Sequence, residues 1–320
     1  MVAQALQQVS PIKRLANELG RRAGEGLKIA QPSRLVPSIK QLATELIAWK
    51  TATGYGATVL LGPRASCRSG IPSWPDLAAR VCQKLRIPAD QASPVNALSS
   101  SLRHSQVAYS QVHTVLQELL RDKTPSLGYA HLAQLVKDGL ISTVLTTGWD
   151  SMLERAILRL VPYGHFRVLV RGEMPDTAVA EALEWRKNLP TVVKLQGDLQ
   201  TRLFLLGEAG PRRFQAELGK CLTEVTSGCT YVAGQSAHDS SVLSAILNAR
   251  GNAGKLYHVR HPLTPGDIDR TLERAQAVVM KGIQPSVVAA GEDVNVGDFD
   301  SFFTQLNLAA QQELQRFSLE

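Results

Sequence analysis

The sequence predicts an α/β protein built on a doubly wound, mostly parallel Rossmann-like sheet, with helical extensions at both ends. Three observations carry that expectation. From about residue 55 onward, short apolar runs rich in β-branched residues end in Gly, Ser, Thr or Asp turns. Helical stretches with apolar residues three and four apart separate those runs. Such alternation is the pattern of strands joined by crossover helices, which cover both faces of a parallel sheet. Finally, 320 residues at 44% apolar and 20% charged can bury that core without a disulfide or metal staple.

The chain divides into a basic helical extension over 1–50, the α/β domain over 51–283, and a linker with a C-terminal helix over 284–320. Leu6, Val9, Ile12, Leu15 and Leu19 form one helical stripe, after which Gly24, Gly26, Pro32 and Pro37 interrupt the pattern. A second helix over 38–50 places Ile39, Leu42, Ala43, Leu46 and Ile47 on one face. In the domain, strands are expected at 57–61, 142–146, 165–170, 191–195, 203–206, 230–233, 255–259 and 277–280. Amphipathic helices are expected at 74–85, 106–120, 127–137, 151–160, 211–226 and 241–250. Residues 284–299 are rich in Gly, Pro and Asp and read as a linker; a final helix follows over 300–317. There is no internal repeat.

The net charge is +7, and residues 1–50, with eight Lys/Arg against three Glu, hold +5 of it. A basic arm of this kind is one route to nucleic acid, but Trp49 is its one aromatic residue, so base stacking has little to use. A solvated face or a contact in a homo-oligomer is the plainer reading. No apolar run approaches the roughly 18 residues of a membrane span, and no apolar signal region with a cleavage site opens the chain. A cytoplasmic protein without a membrane partner is expected. Cys67, Cys82, Cys221 and Cys229 are scattered without a C-x-x-C pair, and His258 and His261 lack a carboxylate or cysteine neighbour. No metal site is expected.

Ligands in open parallel sheets sit at the carboxyl ends of the strands. Four strand ends here are distinctive. The first reads Leu61-Gly62-Pro63-Arg64-Ala65-Ser66-Cys67-Arg68-Ser69-Gly70-Ile71-Pro72. The second is Thr146-Thr147-Gly148-Trp149-Asp150, the third Lys194-Leu195-Gln196-Gly197-Asp198, and the fourth Ala233-Gly234-Gln235-Ser236-Ala237-His238-Asp239. In this order, over about residues 55–260, they resemble the sirtuin-like family of bacterial NADase and anti-phage defence proteins. That family's loops read roughly G-A-G-x-S-x-x-S-G-I-P, T-T-N-x-D, K-x-H-G-D and G-x-S-x-x-D. The resemblance implies a cleft for NAD or an ADP-ribose-like nucleotide, with Gly62, Arg64, Ser66, Thr147, Asp150, Gly197, Gly234 and Ser236 at the binding positions. The cysteine zinc module of protein-deacylating relatives is missing, so peptide deacylation is not implied.

The departures bear on chemistry. The resemblance assigns the general base to a histidine and the positioning of water or ribose to an asparagine; here those positions are Gln196 and Gly148. A glutamine amide takes no proton near neutral pH, and glycine has no side chain to orient anything. In the first loop, Pro63 and Arg64 stand where the family has small residues, and proline removes a phosphate-facing N–H. Arg64 either crowds a dinucleotide out or offers its guanidinium to a phosphate. Plainer roles exist for the rest: turn caps for Ser66 and Ser69, helix N-caps for Asp150 and Asp239, core packing for Trp149, cleft filling for Gln196. His238 is the nearest replacement for a lost base.

The expectation is therefore a catalytically inactive sirtuin-like module. It would act as a scaffold or nucleotide-sensing partner, in a homo-oligomer or a hetero-complex of a prokaryotic defence or regulatory system. The alternatives are an NAD hydrolase rewired around Asp150, Asp198 or His238, and a nucleic-acid-associated protein working through residues 1–50.

Overall fold

The computed structural model describes residues 37–88, 93–184, 189–204, 214, 216–236, 240–250, 254–259, 266–275, 277–280 and 299–319. The strands are β1 (Ala57–Leu61), β2 (Ile141–Thr146), β3 (Arg167–Val170), β4 (Thr191–Lys194), β5 (Gly197–Asp198), β6 (Leu203–Phe204), β7 (Cys229–Ala233), β8 (Lys255–Val259) and β9 (Val278–Met280). Seven of them form one sheet in the order β3-β4-β2-β1-β7-β8-β9, every neighbouring pair parallel. Every residue of β1, β2, β4 and β7 is buried, as a parallel sheet covered on both faces requires. This is the Rossmann-like α/β fold that the alternation predicts.

The helices are α1 (Ile39–Thr53), α2 (Trp74–Leu85), α3 (Pro94–Arg103), α4 (Tyr109–Leu120), α5 (Leu127–Lys137) and α6 (Met152–Leu158). They continue with α7 (Asp176–Glu184), α8 (Ala216–Thr226), α9 (Ser240–Arg250), α10 (Gly266–Arg274) and α11 (Phe299–Leu319). Local chemistry sets their ends. Before α1, the Ser38 hydroxyl accepts the Gln41 N–H at 3.2 Å while the Gln41 side chain accepts the Ser38 N–H at 2.7 Å, a reciprocal cap. Gly54, at φ +80°, closes that helix in the left-handed conformation. One sheet face packs Val59, Val144 and Tyr231 against Leu42 and Leu46 of α1, Leu132 of α5 and Phe303 of α11. The other packs Leu60, Leu145 and Val232 against helices α7 to α10 through residues such as Val179, Leu222, Ile246 and Ile268. Helices α2, α3 and α4 form a third cluster around Leu77, Leu98 and Leu116, with Trp149 and Leu199 packed against it.

The structure corrects several boundaries. The strand expected from 165 begins at Arg167, because His165 lies in a turn whose N–H donates to the Pro162 carbonyl at 3.0 Å. The run expected at 203–206 does not join the main sheet: Leu203–Phe204 pairs antiparallel with β5. Residues 106–108 precede α4, and α3, α7 and α10 are additional helices. The first loop is a 3-10 helix over Pro63–Ser69. The helix expected over 300–317 is α11, whose Phe302, Phe303 and Leu306 are buried in the same core as β1 and β7. The stripe from Leu6 to Leu19, residues 284–298, His238, Asp239 and His261 lie outside the described residues.

The register lines up the carboxyl ends. Leu61 pairs with Thr146 on one side and Ala233 on the other, and Thr146 pairs with Lys194. The four distinctive loops therefore leave the sheet along one edge. After β1 the chain moves out on the β2 side and later returns to place β7 on the other side, so the order reverses at β1. That reversal is the switch point at which open α/β sheets bind ligands.

Candidate functional site

The first loop is clamped to the fourth by main chain. Gly62 N–H donates to the Ala233 carbonyl and Arg64 N–H to the Gly234 carbonyl, both at 2.9 Å, while Ala65 N–H turns back to the Gly62 carbonyl at 3.2 Å. The clamp needs glycine on both sides. A Cβ on Gly62 would stand 2.3 Å from the Gly234 oxygen, and Gly234, at φ +70°, would bring a Cβ within 2.6 Å of the Ala65 nitrogen. Gln235, in the same loop, is buried and donates its side-chain amide to the Leu60 carbonyl at 3.1 Å. Ser236 beside it is buried too.

Beneath this loop, Ser66 is fully buried. Its hydroxyl lies 2.7 Å from the Tyr129 hydroxyl and donates to Asp150 Oδ2 at 2.8 Å. Burial, reinforced by the Asp150 charge, pushes the Tyr129 phenol well above its ordinary range, so it stays a neutral hydrogen-bonding group. The other Asp150 oxygen accepts the N–H of Met152, the first residue of α6, at 3.0 Å, while the N-cap position expected of Asp150 is taken by Ser151. Ser69 is also structural: its hydroxyl accepts the Ser126 N–H at 3.0 Å.

Lys194, 1% exposed, anchors the third loop. Its ammonium donates to the Asp150 carbonyl at 2.6 Å, meets Glu154 at 2.8 Å and forms a short contact with Asp198. Burial works against the ammonium, but Glu154, Asp198 and Asp150 outweigh it and hold its pKa above the ordinary lysine value. The second Asp198 oxygen accepts the N–H groups of Gln200 at 2.9 Å and Thr201 at 3.2 Å. A buried lysine of this kind ties the second and third loops to α6 rather than reaching for a ligand.

Gly148 lies between these groups. Its N–H donates to Thr146 Oγ1 at 3.0 Å, and a Cβ there would stand 3.4 Å from Asp150 Oδ2 and 3.8 Å from Pro63 Cα. Thr147 N–H donates to the Leu61 carbonyl at 3.0 Å, tying β2 to β1. Gln196 is buried, and Gly197 follows at φ +94° in the β5 arm. Trp149 meets Trp74 edge-on, ring centroids 4.5 Å apart, in the third hydrophobic cluster.

The structure thus gathers Gly62, Arg64, Ser66, Gly148, Asp150 and Gly234 at one point, and places Lys194, Gly197 and Asp198 on the adjoining loop. Sequence reasoning missed Tyr129 and Glu154, which sit inside helices among apolar neighbours and join the site only through the fold. The pyrophosphate seat that the resemblance implies does not fit these residues. Pro63 has no N–H, those of Arg64 and Ala65 are engaged within the protein, and the Ser66 hydroxyl is held by Tyr129 and Asp150.

Two solved structures are similar to the chain. One, from work on the mechanism and regulation of Sir2 enzymes, is 13% identical with a TM-score of 0.47, over 88% of this chain and 100% of that one. Another, a point mutant of a Sir2 homologue in complex with ADP-ribose, is 14% identical with a TM-score of 0.40, over 82% of this chain and 93% of that one. No protein-family model matches the chain, and no curated protein matches it.

Proposed function

We propose that this protein is a sirtuin-like binding module without NAD-cleaving chemistry, serving as a scaffold in a prokaryotic defence or regulatory complex. One observation carries the reading. Side chains that could act at the carboxyl edge are held by other protein groups: Ser66 by Tyr129 and Asp150, Asp150 also by the Met152 N–H, and Asp198 by Lys194 and two backbone N–H groups. Gly148 and Gln196 supply neither a base nor a positioning amide where the resemblance calls for them. A frame this thoroughly satisfied gains rigidity, which suits a surface that partners read. The rewired hydrolase would have to work through the same engaged Asp150 and Asp198, or through His238, outside the described residues. The nucleic-acid reading rests on residues 1–50, of which 1–36 lie outside the described residues.

Nucleotide sensing is the second reading. Arg64, partly exposed on the first loop, favours it, since a guanidinium can replace lost backbone donors at a phosphate. Calorimetric titration with NAD and with ADP-ribose separates the two. The scaffold reading expects no saturable heat from either ligand. Binding that Arg64→Ala weakens by roughly ten- to a hundredfold, the loss of one charge-assisted bond, would establish the sensing role instead.

A further inference from the structure

The first turn of α11 is tied to the first loop by two separate bridges. Asp300 Oδ1 accepts the Ser126 hydroxyl at 2.6 Å and the Gly128 N–H at 2.7 Å, at the N-terminus of α5. The Ser126 N–H in turn donates to the Ser69 hydroxyl, at the end of the 3-10 helix. In parallel, the Phe299 ring packs 4.8 Å from that of Tyr129, whose hydroxyl bonds Ser66 in the middle of the same loop. A negative charge at a helix N-terminus is favourable, so the docking has its own driving force.

The glycine at 128 fits this contact and nothing looser. A Cβ there would lie 2.1 Å from Asp300 Oδ1 and 2.6 Å from Asp300 Cα. In the first turn of α5, the missing side chain is what admits the carboxylate.

We infer that the first turn of α11 is a latch on the Pro63–Ser69 loop: while Asp300 and Phe299 are seated, the loop is locked against the fourth loop, and unseating them releases it. The inference goes beyond the proposed function and is independent of whether the edge ever meets NAD. It gives the C-terminal helix a regulatory role, since any partner that pulls on α11 acts through Ser126 and Ser69 on the switch-point loop, 300 − 69 = 231 residues away in sequence.

Hydrogen exchange on the full chain, read by mass spectrometry, tests it. Asp300→Ala is expected to speed exchange of the amides of residues 65–70 about tenfold, the loss of charge-assisted bonds, while amides of β1, β2 and β7 keep their rates. Loop amides unchanged, or loop and sheet amides accelerating by one common factor, would overturn the latch. Asp300→Asn keeps an accepting oxygen, and serves if the alanine variant does not fold; it is expected to free the loop by a smaller factor, and an unchanged loop there overturns the inference equally. Added to Ser69→Ala, which cuts the bridge at its loop end, Asp300→Ala should accelerate the loop less than it does alone; a full, additive effect contradicts the route.

Discussion

Gly62 occupies a place where a single methyl group meets the backbone of another loop. Its Cβ would lie 2.3 Å from the Gly234 oxygen and 2.5 Å from Gln235 Cα, and neither can swing away as a side-chain end would. Gly62→Ala should therefore destabilise the protein by roughly 1–3 kcal/mol, the usual penalty of overpacking, read as a lower urea midpoint with unchanged m. His131 offers a pH test. Burial lowers its pKa below the ordinary 6.5 although Asp300 pulls the other way, and its Nδ1 lies 2.9 Å from the Asn307 amide. The folded state then binds a proton less readily than the unfolded one. Stability from this group is present above about pH 6.5 and is lost as the pH falls from there toward the depressed folded value. Urea midpoints should fall between pH 7.5 and pH 5.5, and His131→Gln should flatten the part of that slope that His131 causes.

The elements differ in how plainly the chain announces them. Strands β1, β2 and β7 read clearly because burial on both faces demands unbroken apolar or Thr-rich runs. Helix α10 escaped notice because Ile268 and Leu272 are its two buried apolar residues in a strongly polar segment, and α3 because it opens at Pro94 and runs through Ser99, Ser100 and Ser101. The Pro63–Ser69 stretch reads as an open loop, since its Gly and Pro punctuation is common to turns and short 3-10 helices. The four loops of the site were legible from their motifs, but their partners were not: Tyr129 lies 63 residues from Ser66, and nothing local to either marks the pair. Helix α11 is more tightly built in than a terminal extension suggests. Phe303 is fully buried against the sheet face while Leu308 is 52% exposed. Phe303→Ala should cost about 3–5 kcal/mol, and Leu308→Ala should stay within about 0.5 kcal/mol of wild type in the same denaturation experiment.

At the scale of the whole molecule, the parallel sheet aligns four loops at its switch point, and among the described residues of that edge Ser66, Asp150, Lys194 and Asp198 are engaged by other protein groups. Among the described residues no helix is long and apolar enough to cross a membrane. Of the net charge of +7, the first fifty residues carry +5, on a segment whose helix α1 is packed into the core from Ile39 onward. Whether this edge cleaves NAD is decided by incubating the protein with NAD and measuring released nicotinamide against a heat-inactivated control. No release above the control is expected from the wild type. None is expected either from Gly148→Asn combined with Gln196→His, since Pro63 lacks an N–H and those of Arg64 and Ala65 are engaged within the protein. Nicotinamide released by the wild type well above the control would contradict the proposed function.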